Sequence, residues 1–136
     1  MSFKRYEKIN LMHEFSTMAE VVRVVEEEAR RRNARVKEVR LEVGELSFLC
    51  EEQLRFAFEV LAEQSDVLRG SKLVIESVKA EIKCEGCGYE GGVRYADDFA
   101  YHFSPPILQC PECDGFDVRI VKGRGCIVKE IVIITS

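Results

Sequence analysis

Two pairs of cysteines constrain this chain more than any other feature of its sequence. They are Cys84-Glu-Gly-Cys87 and Cys110-Pro-Glu-Cys113, with residues 88–109 between them. Two residues between cysteines allow a tight turn to present both sulfurs to one metal ion, and two such turns complete a tetrahedron of thiolates. Four sulfur ligands leave Zn²⁺ no open position for water. We therefore predict a structural zinc site at these cysteines rather than a catalytic one.

Whether these cysteines form disulfides instead depends on the cellular compartment. The N-terminus lacks the apolar segment of a secretion signal and no stretch reaches the length of a membrane span, so we expect a cytoplasmic protein without a membrane partner. A reducing cytoplasm disfavours disulfides. Iron in the same cage is an open alternative, because four thiolates suit both metals. Cys50 and Cys126 have no partner spacing, and we expect both to be buried, inert thiols.

Length and charge exclude several classes of function. The chain has 136 residues, enough for one domain or one domain with a small module. Its 20 Lys and Arg against 24 Asp and Glu give a net charge of −4, whereas nucleic-acid binders usually carry a basic surface. There are only 2 histidines and no evident nucleophile–base set, so we expect no enzymatic activity.

The N-terminal half shows the apolar spacing of two helices. Thr17-Met-Ala-Glu20 matches a capping box, which predicts the start of the first helix. Apolar residues recur at helical spacing around and beyond it, and they are Phe15, Met18, Val22, Val25 and Ala29. A second helix is predicted from about residue 51 to 64, with an apolar side formed by Leu54, Ala57, Phe58 and Leu61. We interpret both apolar stripes as core packing.

Strand patterns lie between and after these helices. Val39, Leu41 and Val43 alternate with charged residues, which is typical of a strand with one face in solvent. A second strand is predicted over 73–82, and the apolar run 127–134 requires burial of a last strand on at least one face. The simplest arrangement returns this last strand to the strands of the first half. We therefore predict an α+β fold, with a small mixed sheet packed with two helices and an inserted zinc-ribbon-like module held by four cysteines.

The composition changes between these strands. Seven of the 9 glycines fall within residues 86–125, together with all 3 prolines. The segment holds too few aliphatic residues for a core of its own, so a metal must supply its folding energy. The predicted organisation is an N-terminal extension at 1–11, an α+β domain at 12–82 and 124–136, and an inserted zinc domain at 83–123.

One histidine stands where a second metal could bind. His13 lies in Met12-His13-Glu14, directly before the first helix. A single histidine at such a place is most often a helix cap or a surface residue. If the chain began at Met12, however, its free amine, the following amide nitrogens and the imidazole would form fused chelate rings in one plane. That geometry suits Ni²⁺ or Cu²⁺ and disfavours tetrahedral Zn²⁺. The residues alone leave both interpretations open.

Taken in order, these segments resemble the HypA/HybF family of nickel metallochaperones, which act in hydrogenase maturation. The resemblance covers about residues 12–134 and rests on Met12-His-Glu-Phe-Ser16, Val39-Arg-Leu-Glu-Val-Gly-Glu-Leu46, the two cysteine pairs and Lys122-Gly-Arg-Gly125. The family fold that it implies is an α+β nickel-binding domain carrying an inserted zinc domain.

The resemblance also implies roles for individual residues. His13 would be the primary nickel ligand, and Met12 and Glu14 would supply backbone nitrogens. The implied structural zinc ligands are Cys84, Cys87, Cys110 and Cys113. Ni²⁺ would be cargo, delivered to the large subunit of a [NiFe]-hydrogenase with the help of a HypB-type GTPase, and a homodimer is left open. Eleven residues precede Met12 here, whereas the family usually starts at Met-His-Glu. A retained extension would remove the free amine from the nickel site.

Two other functions fit parts of the same pattern. The cysteine pairs alone are also typical of a zinc-ribbon module that binds nucleic acid or a protein assembly. The acidic balance and the single basic residue between the pairs, Arg94, argue against a nucleic-acid partner. A rubredoxin-like iron electron carrier is the third candidate. The ordered set of motifs favours the nickel metallochaperone.

Overall fold

The computed structural model describes residues 14–96 and 107–135. Two α-helices and eight strands form within these ranges, with a 3-10 turn at Glu45–Ser47. The elements are α1 (Glu14–Arg31), β1 (Ala34–Gly44), α2 (Glu51–Glu63), β2 (Lys72–Val78), β3 (Glu81–Cys84), β4 (Glu90–Gly91), β5 (Arg94–Tyr95), β6 (Leu108–Gln109), β7 (Val118–Lys122) and β8 (Cys126–Thr135). Neither helix in the described ranges is long and apolar enough to cross a lipid bilayer.

The chain divides into two compact units. Among the described residues, the first unit comprises 14–43, 47–77 and 125–135, and the second comprises 44–46, 78–96 and 107–124. The second unit therefore includes all of β3, whereas the predicted boundary at residue 83 falls inside this strand. The prediction of one strand over 73–82 is wrong, because β2 and β3 are separate strands that belong to different sheets.

The first unit is built on a three-stranded sheet with the order β2-β1-β8. β8 pairs antiparallel with β1, so that Val43 lies opposite Cys126 and Val36 opposite Ile133. This confirms the prediction that the last strand returns to the first half of the chain. Both helices contribute buried side chains to the core that these strands form, and the largest fully buried ones in this unit include Met18, Leu41, Leu54 and Leu68. The α+β fold with two helices is confirmed.

The first helix departs from its predicted start and from its predicted buried side. α2 has almost its predicted bounds, but α1 already includes Glu14, so the predicted capping box at Thr17 is wrong. Thr17 lies inside the helix, and its buried Oγ1 has no hydrogen-bond partner among the described residues. Phe15 is 48% exposed and does not join the core, whereas Val21 is fully buried there. The buried stripe therefore runs along a slightly different side of α1 from the one predicted.

The second unit contains the sheet β4-β3-β7 and the two-stranded sheet β5-β6. The segment Gly44–Leu46 packs into this unit, where the Leu46 N–H donates a hydrogen bond to the Gly123 carbonyl at 2.9 Å. A Cβ atom at residue 44 would lie 2.2 Å from that oxygen, so only glycine fits there. The Glu45 carboxylate accepts hydrogen bonds from the Ala80 N–H and the Tyr95 hydroxyl, and these donors lower the pKa of its carboxyl.

Candidate metal centre

The first cysteine turn, residues 84–88, follows directly from β3. The Cys84 N–H donates a hydrogen bond to the Tyr89 carbonyl at 2.8 Å, and the Gly88 N–H donates to the Cys84 carbonyl at 2.9 Å. Gly88 has a φ of +82°, a left-handed conformation that glycine adopts without a steric penalty. The turn therefore closes on its own backbone and leaves both thiols available.

The second cysteine turn, residues 110–114, repeats this construction. The Cys110 N–H donates to the Gly115 carbonyl at 2.9 Å, and the Asp114 N–H donates to the Cys110 carbonyl at 3.0 Å. Asp114 takes the left-handed conformation here, with a φ of +63°. The Glu112 N–H also donates a hydrogen bond to the Cys110 Sγ, with a nitrogen–sulfur distance of 3.4 Å. Both pairs of sulfurs are thus presented by equivalent backbone turns.

The structure brings the four sulfurs of these turns together, and they all lie within 4.8 Å of one another. The Sγ atoms of Cys84 and Cys113 are 3.7 Å apart, as are those of Cys87 and Cys110. A tetrahedral zinc ion with Zn–S bonds of about 2.3 Å requires sulfur–sulfur distances of about 3.8 Å. The geometry of the cluster therefore fits a tetrahedral thiolate-bound metal. The four-cysteine module of the predicted fold is confirmed.

The electrostatics of the cluster also favour a cation. The N–H of Cys87 stabilises the neighbouring thiolate and lowers the pKa of Cys84 to about 7. The N–H of Tyr89 favours the thiolate of Cys87, but desolvation and the neighbouring sulfurs outweigh it and raise the pKa of Cys87 to about 12. Four adjacent thiolates repel one another, and a bound divalent cation compensates that repulsion.

The two remaining cysteines differ from each other. Cys126 is buried, and desolvation raises the pKa of its thiol to about 12, which agrees with the predicted inert thiol. Cys50 is exposed, so the prediction that it is buried is wrong. It is the N-cap of α2, directly before the first helical residue, and is not part of the apolar side of the helix that packs into the core.

The predicted nickel ligands are Met12, His13 and Glu14. Met12 and His13 fall outside the described residues, and Glu14 is the first residue of α1. The Glu14 side chain is buried, and its Oε2 accepts a hydrogen bond from the Cys50 N–H at 2.8 Å. No pattern in the sequence indicated this contact, because the two residues are 36 positions apart. The Glu14 carboxylate therefore holds the start of α1 against the residue that precedes α2.

The family model described as hydrogenase/urease nickel incorporation, metallochaperone, hypA matches residues 12–133. This chain belongs to the HypA family. The match begins at the Met12-His13-Glu14 segment and includes all four clustered cysteines, and it confirms the family resemblance seen in the sequence. The family model describes a metallochaperone, and the similar relatives are hydrogenase maturation factors by name.

Individual HypA proteins are similar over nearly their whole length. The hydrogenase maturation factor HypA of Methanothermobacter thermautotrophicus is 42% identical over 123 residues, which cover 90% of this chain and 97% of the relative. That of Methanocaldococcus jannaschii is 35% identical over 128 residues, with the same coverage. The solution structure of the Ni metallochaperone HypA from Helicobacter pylori superimposes with a TM-score of 0.64 at 25% identity, covering 92% of this chain and 100% of that one. These HypA matches favour the metallochaperone over the zinc-ribbon module and the iron carrier.

Proposed function

We propose that this chain carries Ni²⁺ for the maturation of a [NiFe]-hydrogenase and holds a structural Zn²⁺ at its four clustered cysteines. The observation that carries the proposal is the HypA family match over residues 12–133, which spans both the Met12-His13-Glu14 segment and the cysteine cluster. The relatives are hydrogenase maturation factors by name, and the similar Helicobacter pylori protein is a Ni metallochaperone by name.

Zinc is the resident metal in this proposal. Cys84, Cys87, Cys110 and Cys113 would hold it, because two of their sulfur–sulfur distances are 3.7 Å and all four sulfurs lie within 4.8 Å of one another, which suits a tetrahedral ion. A zinc ion bound by four thiolates stabilises the fold around it and presents no open coordination position. The role of this metal is therefore to fold the second unit, and it takes no part in carrying nickel.

Nickel would bind at the start of α1. We assign the imidazole of His13 as the primary ligand, with backbone nitrogens from Met12 and Glu14. The contact of the Glu14 carboxylate with the Cys50 N–H supports this division of roles, since it engages the side chain and leaves the backbone nitrogen for the metal. The first N–H groups of a helix have no acceptor within the helix, so the nitrogen of Glu14 is not needed for α1.

The partners follow from the same proposal. A HypB-type GTPase would assist the transfer, and the large subunit of a [NiFe]-hydrogenase would receive the nickel. The family description, which joins hydrogenase and urease nickel incorporation, supports a protein recipient rather than a nucleic acid. We place this non-enzymatic function in the cytoplasm, away from membranes, and the proposal leaves a homodimer open.

Calorimetric titration of zinc-loaded protein with Ni²⁺ tests the nickel site. Two lengths of the chain are compared, the full 136 residues and a form that starts at Met12. His13→Ala should abolish tight nickel binding in each length that shows it, while zinc content and helical signal stay unchanged. Glu14→Gln is the matched control, because it keeps the backbone nitrogen and should leave the nickel affinity within about threefold.

The outcomes distinguish a nickel site that includes the free amine of Met12 from one that does not. Tight one-to-one binding only by the form starting at Met12 would place the free amine in the coordination sphere. Equal tight binding by both lengths would retain the metallochaperone function and exclude the amine as a ligand. Binding by neither length, or unchanged affinity after His13→Ala, would overturn the assigned nickel site.

A further inference from the structure

The two cysteine turns differ in the residue that adopts the left-handed conformation. In the first turn this residue is Gly88, and in the second it is Asp114, with a φ of +63°. Glycine takes this conformation freely, whereas a residue with a side chain incurs a steric cost and usually needs support from its surroundings. Asp tolerates the left-handed region better than most residues, but not as well as glycine. The second turn therefore needs a support that the first turn does not.

Two side chains of the β5-β6 sheet supply contacts to Asp114. The Arg94 guanidinium donates a hydrogen bond to the Asp114 carboxylate, and the Gln109 side-chain amide donates to the Asp114 carbonyl at 2.8 Å. Arg94 and Gln109 lie opposite each other in the strand pair, and the Arg94 Nε donates to the Gln109 Oε1 at 3.2 Å. We call this set of three residues the Asp114 clamp.

The clamp is tied to the chain that leads to the first turn. Tyr95 follows Arg94 in β5, and its hydroxyl donates to the Glu45 carboxylate at 2.7 Å. The other oxygen of Glu45 accepts the Ala80 N–H at 2.8 Å, directly before β3, which ends at Cys84. Neighbouring residues of a strand project to opposite faces. Arg94 in β5 can therefore contact Asp114 while the next residue, Tyr95, contacts Glu45.

We propose that Arg94 and Gln109 are positioning residues for the metal centre, which hold Asp114 in its left-handed conformation and thereby keep Cys110 and Cys113 in ligating geometry. Tyr95 and Glu45 anchor this clamp. The inference rests on the proposed function only in that the four cysteines hold zinc. When the clamp is lost, the second turn opens first, and its exposed thiol at Cys113 leaves the metal before the exposed thiol of the first turn.

The size of the effect follows from the exposure of the pair. The Arg94 and Asp114 side chains are 45% and 70% exposed, and ion pairs at such sites contribute little to global stability. Residues that orient metal ligands nevertheless alter metal affinity by about 10- to 100-fold when they act directly. For an exposed clamp that acts through Asp114, we expect zinc release to accelerate about three- to tenfold.

The test measures zinc release from the full, zinc-loaded chain to an excess of a chromogenic chelator. Arg94→Gln should accelerate release about three- to tenfold, and Tyr95→Phe should act in the same direction by about twofold. Asp114→Gly should release zinc no faster than the original chain, because glycine needs no clamp. The double variant R94Q/D114G should match D114G. Arg31→Gln is the matched control, since this exposed arginine pairs with Glu28 on α1 in the first unit, outside the clamp and both cysteine turns.

Alkylation during release gives a second readout that a general loss of stability would not produce. Mass spectrometry of the R94Q variant should find label on Cys113 before Cys87, with the preference lost in R94Q/D114G. Equal zinc-release rates for R94Q and the original chain would overturn the proposal. It would also be overturned if R94Q accelerated zinc release as much in the D114G background as in the original chain. A chain that binds no zinc at all would refute the zinc assignment itself, whereas absence of nickel binding would refute only the carrier function.

Discussion

The first and second units reach stability by different means. The first unit buries a continuous apolar core that includes Met18, Leu41 and Leu54. In the described part of the second unit, the buried apolar residues are Ala80, Ile82, Cys84 and Cys110, two of which belong to the metal cluster. A segment this small cannot exclude enough apolar surface from water to fold by burial alone. One chain thus combines a core of apolar side chains with a cluster of four cysteines whose geometry suits a tetrahedral metal.

The largest expected effect comes from removing the metal of the second unit. Cys87→Ser should abolish stoichiometric zinc and unfold the second unit, because binding of a structural zinc ion supplies about 10–16 kcal/mol of folding free energy in small zinc domains. Metal analysis and amide hydrogen exchange of β3 and β7 measure both losses. The first unit should keep its exchange protection.

Cys50→Ser is the control for this substitution, since Cys50 is exposed and lies outside the cluster. It should retain one zinc per chain and the protection of β3 and β7. Full zinc retention by Cys87→Ser would contradict the assignment of a four-cysteine site.

The second-largest effect comes from opening a cavity in the first unit. Leu41 on β1 is fully buried, and Leu41→Ala should lower the free energy of unfolding by about 2–5 kcal/mol. Denaturant titration followed by the helical signal measures this loss, and zinc content should not change. Phe56→Ala, at a side chain that is 65% exposed, should stay within about 0.5 kcal/mol. Loss of zinc with Leu41→Ala would contradict the conclusion that the two units are stabilised independently.

The buried thiol of Cys126 should make the first unit sensitive to alkali. Its pKa is raised from 9.0 to about 12 by burial, so the folded thiol keeps a proton that the unfolded thiol loses above pH 9. The unfolded state then binds fewer protons, and stability falls by about 1.4 kcal/mol per pH unit above that value. Cys126→Ala should remove this slope, measured by denaturant titrations at increasing pH. Cys50→Ala should leave it intact, and parallel curves for C126A and the original chain would refute the effect.

The smallest effect is expected on the charged surface of the first unit. Arg23 forms hydrogen bonds with Glu20 and Glu27 along α1, and its side chain is 52% exposed. Arg23→Gln should leave the unfolding midpoint unchanged within error, because exposed ion pairs are well solvated after they break. A destabilisation as large as that of Leu41→Ala would mean that surface charges rather than the apolar core stabilise α1.

Local patterns predicted much of the fold correctly. The alternation of Val39, Leu41 and Val43 identified β1, and the apolar spacing after residue 51 identified α2. The spacing of the cysteines predicted the metal cluster, because a tight turn brings two sulfurs together within four residues. Each of these signals lies within a short stretch of chain, where neighbouring residues decide the conformation.

Other features depend on residues that are distant in sequence. The strand predicted over 73–82 is divided into β2 and β3, which pair in different sheets, and the start of α1 is held by the contact between Glu14 and Cys50. No periodicity reports a hydrogen bond across 36 residues. The exposure of Cys50 also follows from its place as the N-cap before α2 rather than from its residue type.

The sequence by itself predicted both helices, β1, β8 and the cluster of four cysteines, because residue type and spacing fix local conformation and ligand chemistry. Only the tertiary structure decided that Gly44 must lie against the Gly123 carbonyl and that Asp114 is held by Arg94 and Gln109. Such contacts arise when separate segments meet in space, and their energies depend on distances that no single stretch of sequence specifies.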